Sequence, residues 1–207
     1  MQQILFKIRK LDMRVNKKYM VFASIIAVVF GLSNSGLHPV VSGSGFTGAP
    51  TDSACSQCHT GTNSNLDGTV TIDGLPSTID AGATYTLTVT VTNPNGNAVK
   101  GGFQMLVLNG TNGNAGTFGS APANTTILTG SSSRKYFGHS PAQNFPASNE
   151  LSFTIDWTAP TTVGSNPVIK FYASAVIANG ANGNQNDRVV LTNQIIPIQT
   201  TAQPLEV

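Results

Sequence analysis

Thr84-Tyr85-Thr86-Leu87-Thr88-Val89-Thr90-Val91-Thr92 alternates without a break. Successive side chains of a strand point to opposite faces, so Tyr85, Leu87, Val89 and Val91 fall on one side and the threonines on the other. β-Branched and aromatic residues at this density suit a half-buried strand. Asn93-Pro94-Asn95-Gly96 closes the run with turn chemistry. The stretch reads as one strand of an antiparallel sheet with a buried face and a wet one.

The same pattern recurs on both sides of it. Thr69–Asp73 is a short strand that ends at Gly74-Leu75-Pro76. Residues 102–108 form the next strand, followed by an Asn/Gly-dominated loop over 109–116. Residues 151–157 alternate again, with Leu151, Phe153, Ile155 and Trp157 inward. Val168–Ala178 is a longer run, and residues 188–196 are a last one. Seven or eight strands, no helical period and no fixed repeat predict an all-β fold. The expected architecture is an antiparallel β-sandwich over residues 67–199 with a short polar tail at 200–207. Only 10% of the 207 residues are charged, which fits strands joined by polar turns.

Charge is unevenly placed. Six of the eleven basic residues (Lys7, Arg9, Lys10, Arg14, Lys17 and Lys18) precede residue 20. Beyond residue 36, five basic residues face eight acidic ones, so a basic nucleic-acid-binding face is not expected. Residues 20–32, MVFASIIAVVFGL, follow the basic cluster and precede Ser33-Asn34-Ser35-Gly36. A basic segment, a short apolar run and small residues predict a signal peptide over 1–36. The thirteen apolar residues fall short of the ~20 that a spanning helix needs. The expectation is export to the periplasm or cell surface of a bacterium, with no stable membrane span in the mature chain. Residues 37–66 read as a flexible leader, since Gly43, Gly45, Gly48 and Pro50 leave little to build a helix from.

Within that leader lies Cys55-Ser56-Gln57-Cys58-His59, which holds the only two cysteines. C-x-x-C-H is the attachment signature of c-type haem. Two thiols at this spacing can add to the two vinyl groups on one porphyrin edge, and the next residue can give its imidazole to the iron. Cys55 and Cys58 are thus expected to carry one covalent haem c, with His59 as proximal ligand. Other readings of the same residues are a disulfide or redox pair and a zinc site completed by a distant histidine. For the sixth iron ligand the candidates are His139, Met105 and His38, or an open site. Met105 sits in an apolar strand and suits core packing better. His38 lies in the leader, whereas His139 falls at a strand end or loop, Tyr136-Phe137-Gly138-His139-Ser140-Pro141. About thirty residues separate Gly36 from the first clear strand, too few for the helices of a stand-alone cytochrome c fold. The sandwich is therefore expected to supply part of the haem pocket, or the haem to stay largely exposed. The loop 179–187 reads as a polar hairpin loop, with cation binding through its Asn and Asp oxygens as the alternative.

Several short motifs carry a resemblance. They are Thr47-Gly48-Ala49-Pro50, Gly102-Phe103-Gln104, Ala115-Gly116-Thr117-Phe118, Gly138-His139-Ser140, Trp157-Thr158-Ala159-Pro160, Phe171-Tyr172-Ala173, Asn179-Gly180-Ala181-Asn182-Gly183 and Asp187-Arg188. In this order they resemble the Reeler-like "choice-of-anchor V" domain of exported bacterial proteins, over residues 47 to about 195. The resemblance implies an immunoglobulin-like sandwich with C-x-x-C-H near its start and a histidine where His139 stands. An exported monohaem electron-transfer protein working with redox partner proteins is the leading functional expectation, rather than an enzyme. No G-x-S-x-G nucleophile elbow is present. The alternatives are a cell-surface interaction or adhesion module with a structural or sensory haem, and gas or peroxide chemistry at an open iron.

Overall fold

The computed structural model describes residues 45–61, 63–181 and 183–200. The signal-peptide reading, His38 and most of the polar tail lie outside them. Among the described residues eleven strands follow one another: β1 (Thr69–Asp73), β2 (Ile79–Asp80), β3 (Thr84–Thr92), β4 (Lys100–Asn109), β5 (Thr117–Phe118), β6 (Thr125–Thr129), β7 (Lys135–His139), β8 (Gln143–Asn144), β9 (Glu150–Thr158), β10 (Val168–Ala178) and β11 (Arg188–Gln199). They form a four-stranded sheet in the order β1-β3-β9-β5 and a seven-stranded sheet in the order β2-β11-β10-β4-β7-β6, with β8 on β4. Every pairing is antiparallel except the short one between β2 and β11. The fold is all-β and the expected immunoglobulin-like sandwich.

Strand periodicity builds the core. Leu87, Val89 and Val91 of β3 and Leu151, Phe153, Ile155 and Trp157 of β9 are buried, while the residues between them face outward. They meet Phe103, Met105 and Val107 of β4 and Phe171, Ala173, Ala175 and Ile177 of β10 in one cluster. Met105 is fully buried there, as its strand position implied. The indole Nε1 of Trp157 donates to the Ala115 carbonyl at 3.1 Å, so its polar edge is satisfied inside the core. Four short strands, β2, β5, β6 and β8, carry no sustained alternation and were not readable as strands.

β4 departs from the one-face pattern: Gly101 to Leu108 are all buried. A strand covered on both faces reads as an unbroken apolar run, and Met105-Leu106-Val107-Leu108 is one. The second cover is the leader. Ala49 packs with Leu106, Leu108 and Tyr136 on the outer face of the large sheet. Phe46 and Cys55 pack with Val176 of β10 on that same face. Expected to be flexible, residues 45–61 and 63–66 are instead seated on the sandwich.

The reason is a buried polar knot. Asp52 Oδ1 accepts from Arg134 Nη1 at 2.7 Å and from the Tyr136 hydroxyl at 3.1 Å, and its Oδ2 accepts from Thr47 Oγ1 at 2.7 Å. Arg134 also donates to the carbonyls of Pro50 and Asn112. Both charges are nearly solvent-free. A buried ion pair holds its geometry when hydrogen bonds satisfy the remaining lone pairs and protons. Here these bonds clamp the glycine-rich hairpin 45–54, closed by the Thr47–Ala54 bridge, against the sheet.

Candidate functional site

The segment Cys55–Gln57 forms a single 3-10 turn that starts directly after this hairpin. The Cys55 amide donates to Ser174 Oγ of β10 at 3.4 Å, which pins the turn to the large sheet. Cys58 N and His59 N both donate to the Cys55 carbonyl, at 3.2 and 2.9 Å. The chain therefore curls about one carbonyl, which places Cys55, Cys58 and His59 on a single turn of backbone. Cys55 is buried and Cys58 is exposed, with both thiols free. The Cys55 thiol donates to the Phe46 carbonyl at 3.6 Å. Burial pushes its pKa up from 9.0 to about 11, against the opposing pull of the Ser174 hydrogen bond.

His59 is one-third exposed and is held from behind. Its Nδ1 lies 2.7 Å from Oδ2 of Asp187, which is 2% exposed. The other oxygen of Asp187 accepts from the Asn179 amide at 3.2 Å. The β10–β11 loop is stitched to the residues that follow the motif. Thr60 N donates to the Asn184 carbonyl, Asn186 N donates to the Thr60 carbonyl, and Asn63 Nδ2 donates to the Asn186 carbonyl. The polar loop 179–187 thus acts as a bracket for His59. In the sequence Asp187 belongs to a polar hairpin loop with no visible link to C-x-x-C-H. The partners are 128 residues apart and no local pattern links them.

His139 ends β7 and lies on another part of the large sheet. Its Nδ1 is 2.8 Å from the Phe103 amide nitrogen and 2.9 Å from the Phe103 carbonyl oxygen, so its tautomer decides which of the two it engages. Position 102 must be glycine, because a Cβ there would overlap the His139 ring. Gly102 alternates with the inward Phe103 and pairs with Val176, the residue beneath Cys55 and Phe46. The ring and the motif thus share the outer face of the large sheet. Between them, two strand spacings separate β7 from β10, about 10 Å. On the same face, buried Gln104 accepts from Phe46 N at 2.6 Å through Oε1, while its Nε2 has no hydrogen-bond partner.

Among the described residues, no three His, Cys, Asp or Glu side chains converge as a metal cage. A covalently held haem asks for less: one imidazole for the iron and two thiols for the porphyrin edge. With Nδ1 engaged by a carboxylate, Nε2 of His59 would be the nitrogen left to ligate an iron, as in other metal-ligating histidines with an outer partner. Cys58 is already at the surface. Cys55 must turn its thiol out from under Phe46 to reach a porphyrin edge. With that adjustment the donor set fits haem c. A cavity of about 710 Å³ lies elsewhere, between β9 and the segments around Asn124 and Gln143, and touches none of these residues.

No protein-family model and no curated protein matches the chain. Among solved structures, the human F-spondin reeler domain aligns at 15% identity and a TM-score of 0.42, covering 64% of this chain and 88% of that one. A structure of the Reelin-N domain of F-spondin aligns at 16% identity and a TM-score of 0.45, covering 64% of this chain and 86% of that one. A cohesin module of a family 33 glycoside hydrolase from Clostridium perfringens aligns at 11% and 0.46, covering 65% and 98%. These are distant likenesses among β-sandwich domains, and the architecture itself rests on the two sheets described above. No helix among the described residues is long and apolar enough to cross a membrane.

Proposed function

We propose that this chain is an exported monohaem c-type protein that transfers electrons, with haem joined to Cys55 and Cys58 and ligated by His59. The observation that carries the reading is the anchored imidazole: Nδ1 of His59 sits 2.7 Å from the buried Asp187 carboxylate, which leaves Nε2 for the iron. When bound, the haem supplies a one-electron iron couple. The residues of the chain do the rest. The 3-10 turn sets the two thiols and the imidazole on one curl of backbone, and Asp187 fixes the orientation of the ring. The outer face of β4 and β10 gives the turn a rigid floor.

Export is supported by the basic and apolar pattern of residues 1–36, and haem attachment takes place outside the cytoplasmic membrane, so the two readings agree. The exposure of Cys58 and His59 favours a haem that partner proteins can approach, as electron transfer requires. His139, on the same outer face, is the candidate for the sixth ligand. In the haem-loaded protein, His139→Ala should convert a low-spin spectrum to a high-spin one, and an unchanged spectrum would remove His139 from the site. The attachment itself is tested by co-expression with a haem-maturation system. A covalent ferrohaem spectrum that survives acid extraction supports the proposal, and a protein recovered without haem sinks it.

A further inference from the structure

We infer that Asp187 is the positioning residue of the proximal imidazole: its carboxylate holds the proton of His59 on Nδ1, makes Nε2 electron-rich, and biases a bound haem toward the ferric state. This deepens the haem reading and rests on it. Three observations carry the inference. The contact is short, at 2.7 Å, as charge-assisted hydrogen bonds are. The carboxylate is 2% exposed, so water screens its field on the imidazole little. Asp187 also cannot swing away without cost. Its other oxygen accepts from Asn179 N, and the bonds among Thr60, Asn184 and Asn186 stitch its loop to the chain just past His59.

The consequence follows from charge. A carboxylate that accepts Nδ1–H raises the basicity of the other ring nitrogen. The ferric ion carries one more positive charge than the ferrous ion and gains more from the stronger donor. Loss of the carboxylate should therefore favour reduction. Loss of an outer-shell partner typically changes metal binding 10–100-fold. We expect the preference for the ferric state in Asp187→Asn to fall by about tenfold or more. Each tenfold is about 59 mV upward for a one-electron couple. Asp187→Glu keeps the charge and should stay closer to the wild-type potential than Asp187→Asn.

The test combines potentiometry of the haem-loaded full chain with nitrogen NMR of the haem-free wild type. A proton found on Nδ1 of His59 in the haem-free chain, together with a raised potential in Asp187→Asn, supports the inference. Equal potentials in wild type and Asp187→Asn overturn it and leave the haem reading standing. A neutral His59 in the haem-free wild type with its single proton on Nε2 and none on Nδ1 also overturns it, whether or not any variant folds. If the wild-type chain takes up no haem, the haem reading itself has failed, and this inference falls with it.

Discussion

Cys55 and Cys58 stand three positions apart, yet their surroundings oppose each other. Cys58 is open to solvent, whereas Cys55 lies beneath Phe46 with its thiol pKa pushed up to about 11 by burial. Reactivity follows the thiolate and its accessibility. The folded, haem-free chain should take up one equivalent of a thiol reagent quickly at neutral pH, at Cys58, and the second only on unfolding. Peptide mapping of the labelled sites checks this, and rapid labelling of Cys55 would contradict it. The same burial sets a pH dependence. The folded pKa of Cys55 lies above its ordinary 9.0, so its contribution to stability is whole below pH 9 and is lost as pH climbs toward 11. Tyr136, raised from 10.0 to about 12 mainly by burial and then by the Asp52 charge, acts in the same sense between those values. Denaturant unfolding across pH 8–11 should show Cys55→Ala with a flatter decline than wild type. At this scale the motif was readable, because C-x-x-C-H is local. Asp187 was not, because only the folded sheet brings it to His59.

The elements that mattered most to the site were those with the weakest local signals. Strands β3 and β9 follow directly from alternation, β10 from a long apolar run, and Thr69–Asp73 is a strand from end to end as the pattern implied. The hairpin 45–54 reads as flexible because Gly45, Gly48 and Pro50 leave little to build a helix from, and its order comes from a charge on a distant segment. Arg134 immediately precedes β7 and reaches Asp52 at 2.7 Å. The unbroken apolar run in β4 held the one local hint, since a second apolar face needs a second cover. Removing one partner of a buried ion pair leaves the other charge unpaired, at a cost of about 3–5 kcal/mol. Arg134→Met should lower stability by about that much in urea unfolding. It should also free the hairpin, so that Cys55 becomes labelled under native conditions. A variant with wild-type Cys55 protection would show that the knot does not hold the leader.

The described residues form a sandwich whose core is separate from the candidate site. Its buried residues come from both sheets, while Cys55 and Phe46 form a separate cluster on the outer face with Val176. The fold class was legible because six long or regular runs specify it. The seating of the leader was not, because it depends on contacts between residues far apart in the chain. A core built this way does not need the prosthetic group to fold. The Cys55→Ala, Cys58→Ala double variant should keep the β-rich circular dichroism and a cooperative unfolding transition; loss of cooperative folding would contradict a sandwich that stands alone. The central claim is the covalent haem. It is tested most directly by intact-protein mass spectrometry of the mature chain made with a haem-maturation system, beside the same double variant. The account predicts a mass increase of one haem on the wild-type chain and none on the variant. A wild-type chain recovered only at its apo mass would contradict it.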